Sequence, residues 1–143
     1  MPNGTAAAVT NLTGWTNPTG AVEVWRNLPG FPPGEGSSNV ELDRAGRDNR
    51  LEQVVATQAG RSYTFSFLQS PGAGVQSNSN KFTVHWNGTN LGTITRNGKG
   101  LTTTSWQRTT FTVTGTGNDR ISFRENDTDN VGALIDDVRL MAT

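Results

Sequence analysis

The sequence predicts an all-β fold, with two antiparallel sheets packed as a β-sandwich or jelly roll. Three observations lead there. Short runs alternate apolar and polar residues at the period of a half-buried strand, as in Tyr63, Phe65 and Phe67 set between Thr64 and Ser66. About ten such runs follow one another, separated by Gly, Pro, Asn and Asp turn signals, the spacing of packed antiparallel sheets rather than of a parallel one. No stretch carries a sustained helical periodicity.

In chain order, residues 6–9 read as a short edge strand or arm, followed by a turn and Trp15. After the turn signal at 17–20, residues 21–25 alternate, with Val22 and Val24 on one face and Glu23 and Trp25 on the other. Residues 27–39 hold three prolines and three glycines, which excludes a central strand. Strands are expected at 40–43, 51–57 and 62–67, and residues 69–80 read as a polar surface loop. Residues 81–86 form a strand that ends in Asn87-Gly88, a hairpin signal because both residues tolerate positive φ. The return strand covers 91–95, and a further strand ends at Val113. The inward set is Val22, Val24, Val40, Leu42, Leu51, Val55, Tyr63, Phe65, Phe67, Phe82, Val84, Trp86, Phe111, Val113, Ile121, Phe123, Leu134, Ile135, Val138 and Leu140.

The closing stretch, residues 120–140, reads as strand, acidic loop, strand. Its oddity is Asp136-Asp137 inside an otherwise apolar run. A carboxylate at that depth needs a cation, an arginine or several N–H donors, because burying it alone costs several kcal/mol, on the order of the penalty for an unpaired polar group or more. Asp137 alternates to the opposite face and is expected to be solvated. The loop at 127–130 lacks the full calcium-loop pattern and reads as a polar turn.

The totals bound the function. A chain of 143 residues fits one domain, here a single module spanning 1–143 expected to be excised from a larger secreted protein. Twelve basic residues balance twelve acidic ones, which argues against a nucleic-acid partner. No apolar run approaches a membrane span, so no membrane insertion is expected. The absence of cysteine excludes a disulfide framework and thiolate-bound metal. Glycosidase chemistry needs two carboxylates across a cleft. Glu41 and Asp43 share one strand face and flank nothing, no Ser-His-Asp order stands out, and no enzyme activity is expected.

Several segments, taken in order, carry a resemblance: Gly14-Trp15-Thr16, Val22-Glu23-Val24-Trp25, Val40-Glu41-Leu42-Asp43, Leu51-Glu52-Gln53-Val54, Tyr63-Thr64-Phe65-Ser66-Phe67, Trp86-Asn87-Gly88 and the stretch from Gly132 to Val138. Together they resemble the galactose-binding-like β-sandwich domains of secreted bacterial proteins and adhesins. More distantly they look like the carbohydrate-binding modules of xylanases and laminarinases. The resemblance implies a secreted or cell-surface bacterial location, neighbouring domains in a larger chain, and calcium tying the N-terminal arm to the closing strand. Carried over, the metal ligands would be Glu35, the carbonyl of Ser38, and Asp136. The family's first-strand acid falls on Ala7, and losing one carboxylate weakens such a site.

The expected function is a non-catalytic carbohydrate-binding module stabilised by calcium, with a polysaccharide or glycan as partner. The sugar face would comprise Glu23, Trp25 and His85. An indole offers a flat apolar plate, and polar neighbours read hydroxyls. Against this stand plainer readings: Trp25 packed under the 27–39 loop with Glu23 in an ion pair, His85 as a bystander, and Asp136 held by an arginine or by backbone N–H groups. The alternative function is a structural spacer of a bacterial adhesin, with no ligand beyond calcium.

Overall fold

The computed structural model describes residues 2–9, 12–17, 22–42, 49–74, 81–125 and 132–143. Within them the alternating runs become β1 (Thr5–Val9), β2 (Val22–Arg26), β3 (Ser38–Glu41), β4 (Asn49–Ala56), β5 (Ser62–Ser70), β6 (Phe82–Trp86), β7 (Thr89–Ile94), β8 (Gln107–Thr114), β9 (Asn118–Glu125) and β10 (Leu134–Ala142). One sheet has six strands in the order β1-β2-β3-β10-β5-β8, and the other has four in the order β4-β9-β6-β7. Every pairing is antiparallel. Among the described residues no helix is long and apolar enough to cross a membrane. Of the polar turn expected at 44–50, residues 44–48 lie outside the described residues, as do the turn at 127–130 and residues 75–80 of the 69–80 loop.

The two sheets meet through an aromatic core. Phe67 of β5 meets Phe123 of β9 edge to face, with ring centroids 5.0 Å apart at 84°. Phe65, Phe82 and Trp15 also pack on Phe123, at 6.1, 6.4 and 6.1 Å. Offset and edge contacts of this kind add to the burial of the rings. Val22, Leu42, Leu51, Val84, Trp86, Val113, Ile121 and Ile135 complete the centre. Two expected inward residues differ. Val24 is only half-buried, because the sheets part there into a cleft. Leu134 is buried outside the central cluster, because it and Ile135 are strand neighbours and take opposite faces.

Strand bounds move where polar residues find partners. β3 starts two residues earlier than expected, because Ser38 and Asn39 pair with Arg26 and Trp25. β5 runs on to Ser70. Its last residues pair with β10 and β8, and the Arg96 guanidinium donates to the Gln69 carbonyl (3.2 Å), the Gln69 side chain (3.2 Å) and the Ser105 carbonyl (2.6 Å). That satisfies polar groups which alternation alone would have left outside the strand. The Asn87-Gly88 hairpin forms as expected, with φ of 51° and 82°.

Candidate functional site

The outer face of the six-stranded sheet carries Glu23 and Trp25, on the side of β2 away from Val22. The indole N–H donates to Glu23 Oε1 at 2.7 Å, and the ring meets Phe31 edge-on at 5.7 Å. Phe31 belongs to the proline-rich loop, which is pinned at the Pro32 carbonyl by the Trp106 indole N–H (2.9 Å) and the Thr104 hydroxyl (2.7 Å). Trp25 is therefore half-buried, with its polar handle and one edge used within the protein. His85 projects from β6 on the outer face of the other sheet, where its ladder partners are Ser122 and Asn90. The expected grouping of Glu23, Trp25 and His85 into one sugar face is corrected here. Alternation had given each residue a face, but the strands belong to different sheets, so the faces point opposite ways.

The Asp136-Asp137 pair sits at an irregularity in the β10–β5 ladder between Asp136 and Arg139, where Asp137 takes a φ of 45°. This breaks the alternation, and Asp137 is not solvated as expected. Its side chain is 14% exposed and is clamped by Arg108 and Arg139, with the Arg139 contacts at 3.0 and 3.1 Å. Hydrogen bonding from Arg139, joined by Arg108, holds its pKa below the ordinary carboxylate value.

Asp136 has the opposite environment. Its oxygens accept the backbone N–H groups of Glu35 and Asp137, each at 2.7 Å. Burial, with the adjacent Asp137 charge, pushes its pKa up despite those donors. Next to it in the ladder lies Asn39, 3% exposed, neither of whose amide atoms has a partner among the described residues. Glu35, the Ser38 carbonyl, Asp136 and the Asn39 amide oxygen are all hard oxygen donors, the chemistry calcium prefers, so they fit such an ion. Among the described residues no three acid or histidine side chains converge, so neutral oxygens would have to complete the shell.

The same segment borders a cleft where the sheets part between β4 and β2-β3-β10. The cleft has a volume of about 380 Å³, within the range of small-ligand sites. Its apolar lining includes Leu12, Trp15, Val24 and Val138, and its polar lining includes Gln53 and Ser38, while the Asp136 and Asp137 carboxylates turn to the outer face, onto the Glu35 N–H and Arg108. The arm that carries Trp15 is stitched to β4. Thr16 and Glu52 exchange backbone hydrogen bonds at 2.8 and 2.9 Å, and the Gln53 amide donates to the Gly14 carbonyl at 2.8 Å. Gly14 makes the turn with φ of 84°, which a side chain rarely adopts. Trp15 is thus fixed at the cleft mouth, one side against Phe123. In the sequence it was a lone aromatic in a polar arm. Its apolar neighbours there, Val24, Val40 and Val138, come from three other strands, so no local pattern marked the site.

No family model and no curated protein matches the sequence. Solved structures do match in fold. A family 4 carbohydrate-binding module is 18% identical, with 90% of this chain and 86% of that one covered and a TM-score of 0.57. A family 35 module from Paenibacillus barcinonensis is 18% identical over 98% and 100% of the two chains, with a TM-score of 0.58. A family 61 module, solved in complex with β-1,4-galactotriose, is 21% identical over 92% and 90%, with a TM-score of 0.61. The protein has the two-sheet β-sandwich fold of these carbohydrate-binding modules.

Proposed function

We propose that this domain is a non-catalytic carbohydrate-binding module of a secreted or cell-surface bacterial protein, and that it takes its sugar in the cleft between the sheets. The observation that carries this reading is the convergence of Trp15 and the aliphatic residues Leu12, Val24 and Val138 with Gln53 around one open cavity. An apolar plate holds the C–H face of a sugar ring, while fixed acceptors take its hydroxyl protons. The shared fold with carbohydrate-binding modules supports the same reading. Asp137 is locked by two arginines and Asp136 is its sequence neighbour on the same sheet face, so the pair is not an acid and a base set across a scissile bond. A glycan array is expected to give binding at modest affinity, since one indole and a few hydrogen bonds leave little surplus over the costs of association. Trp15→Ala and, as a variant that keeps the core intact, Gln53→Ala both weaken that binding roughly tenfold or more. An array with no binder, or binding unchanged in both variants while melting stays cooperative, contradicts the assignment.

Calcium is the second part of the proposal, with Asp136, Glu35 and the Ser38 carbonyl as ligands and the Asn39 amide oxygen joining them. The support is a half-buried carboxylate with no guanidinium on it, next to an amide without a partner, both among the described residues. With Ala7 where an acid would add charge, the site belongs to the weak class of about 10⁻⁴–10⁻³ M. Millimolar calcium should raise Tm by a few degrees through mass action. Identical melting in EDTA and in 10-fold excess calcium, about 10 mM over a millimolar site, returns Asp136 to its backbone donors alone.

The spacer reading is favoured by one observation, the Phe31 edge over Trp25, which takes up part of the exposed aromatic surface first expected to bind sugar. Calcium stabilisation without any glycan binding would select it.

A further inference from the structure

The outer face of the four-stranded sheet holds a second depression, on the side of the sandwich opposite Trp25. It has a volume of about 430 Å³ and is lined by Arg50, Glu52, Asn87, Gly88, Arg120 and Arg124. β4 and β9 create it. Arg50 stands opposite Arg124, Val54 opposite Arg120, and Glu52 opposite Ser122 between them. Three guanidinium groups therefore surround one carboxylate in a chain whose total charge is zero.

The ion pairs inside are loose. Arg120 approaches Glu52 at 3.8 Å and Arg124 approaches it at 4.0 Å, beyond hydrogen-bond reach. Arg120 is 57% exposed, whereas Arg124 also donates Nε–H to Ser122 at 3.2 Å. The excess of positive charge is felt next door. The His85 pKa is lowered, first by burial and then by Arg124 and Arg50.

A row of hydrogen-bonding side chains crosses all four strands of this face: Glu52, Ser122, His85 and Asn90. At the usual strand spacing the row spans roughly 14 Å, the footprint of an extended polymer rather than of a lone small anion. Among the described residues no Trp, Phe or Tyr stands on this face, so it cannot hold a sugar by stacking. What it offers instead is forked, charge-assisted donors, which match a planar or tetrahedral oxyanion.

We propose that this face binds an anionic polysaccharide, its carboxylate or sulfate ester seated between Arg120 and Arg124 and its hydroxyls met by the accessible members of the row, the exposed Asn90 and the half-buried His85. The site is separate from the inter-sheet cleft, and its existence does not depend on a sugar binding there.

The test is affinity electrophoresis of the whole chain through gels containing polygalacturonate, dextran sulfate or neutral dextran, with duplex DNA as a fourth arm. Retardation by at least one of the two acidic polysaccharides is expected, weakening as salt rises, and the arm that responds identifies carboxylate or sulfate as the preferred group. Arg120→Ala weakens it about tenfold or more, with Arg120→Lys in between. Lys99→Ala, which removes the same charge from the exposed turn after β7, leaves it unchanged. Glu52→Gln, nearly the same shape, strengthens it several-fold by removing the competing carboxylate, a gain that a purely structural ion pair would not produce. Thermal melting of each variant separates lost binding from lost folding. No retardation in either acidic gel, equal retardation by neutral dextran or by DNA, or an Arg120→Ala variant that binds like the parent overturns the proposal.

Discussion

Replacing Phe123 with alanine should lower the folding free energy by about 3–5 kcal/mol, the range for deleting a fully buried ring. Phe123 is completely buried in the middle of β9, and its ring touches those of Trp15, Phe65, Phe67 and Phe82, which come from the arm, from β5 of the six-stranded sheet and from β6 of its own sheet. The cavity cannot close by a local shift, because the three phenylalanine neighbours also hold one another: Phe67 meets Phe65 at 5.7 Å and Phe82 at 6.1 Å. In a domain of this size the loss corresponds to a fall in Tm of roughly 10–15 °C. Phe123→Leu, which keeps most of the volume, should cost less than half as much. Trp15 loses its backing in the alanine variant, so sugar binding in the cleft should weaken along with stability. A fall of less than about 1 kcal/mol, the level of a surface change, would mean that Phe123 is not the hub of the packing.

The second large effect is expected at Asp119, and it depends on pH. Asp119 is 1% exposed and joins three turns. Its carboxylate accepts hydrogen bonds from the Thr57 hydroxyl, the Thr116 N–H (3.0 Å) and hydroxyl, and the Asn87 amide (2.6 Å). Burial by itself would raise its pKa, but the donors from Thr116, Thr57 and Asn87 outweigh it and hold the pKa at about 2. A carboxylate with a folded pKa below its unfolded value of 3.8 stabilises the fold at pH above that value. The contribution is lost as pH falls toward 2, as protons bind the unfolded state first. Its size is about 1–2 kcal/mol, set below the full shift because solvent reaches the surrounding turns. Asp119→Ala should cost about 2–3 kcal/mol at pH 7, since several donors lose a charged acceptor at once. Asp119→Asn should flatten the dependence of stability on pH between about 4 and 2. Denaturant titrations at pH 7, 4 and 2.5 check both, and a parent and Asn variant with the same pH profile would refute the assignment. Asp136 has the opposite sign. Its raised pKa means that its charge opposes folding at neutral pH, and acidification relieves the strain rather than adding to it.

Much of the fold could be read from alternation. Runs such as 62–67 and 81–86 state both their strand and their buried face, and Asn87-Gly88 states its turn. What alternation does not contain is sheet membership. Trp25 and His85 each point away from the core, as read, yet β2 and β6 lie in different sheets, so two correct local readings made one incorrect site. Nor does it contain the irregularity at Asp136-Asp137. Two acids in succession must put one on each face of a regular strand, and the break in the β10–β5 ladder instead turns Asp137 onto Arg108 and Arg139.

The sites that emerged are assembled from distant parts of the chain. Trp15 reaches the cleft only because Thr16 bridges to Glu52, and Arg50 meets Arg124 only because β4 pairs with β9. One signal was present for the arginine face: Arg120, Ser122 and Arg124 share a parity on one strand, as do Arg50 and Glu52 on another. Their convergence needed the register, which a single sequence does not supply. Trp25 failed for a different reason. Its exposure depended on whether Phe31, in a loop without periodicity, would fold back over it.

The most direct test of the carbohydrate-binding account follows the four tryptophan indole N–H signals by NMR while a glycan selected on the array is added. The account predicts that the Trp15 signal moves with a saturable dependence on sugar concentration and that the Trp86 signal, whose N–H is held by the Thr114 carbonyl in the core at 3.2 Å, stays in place. A saturable shift confined to Trp25 or Trp106, with Trp15 unmoved, would contradict the cleft assignment and move the sugar to the outer face of the six-stranded sheet.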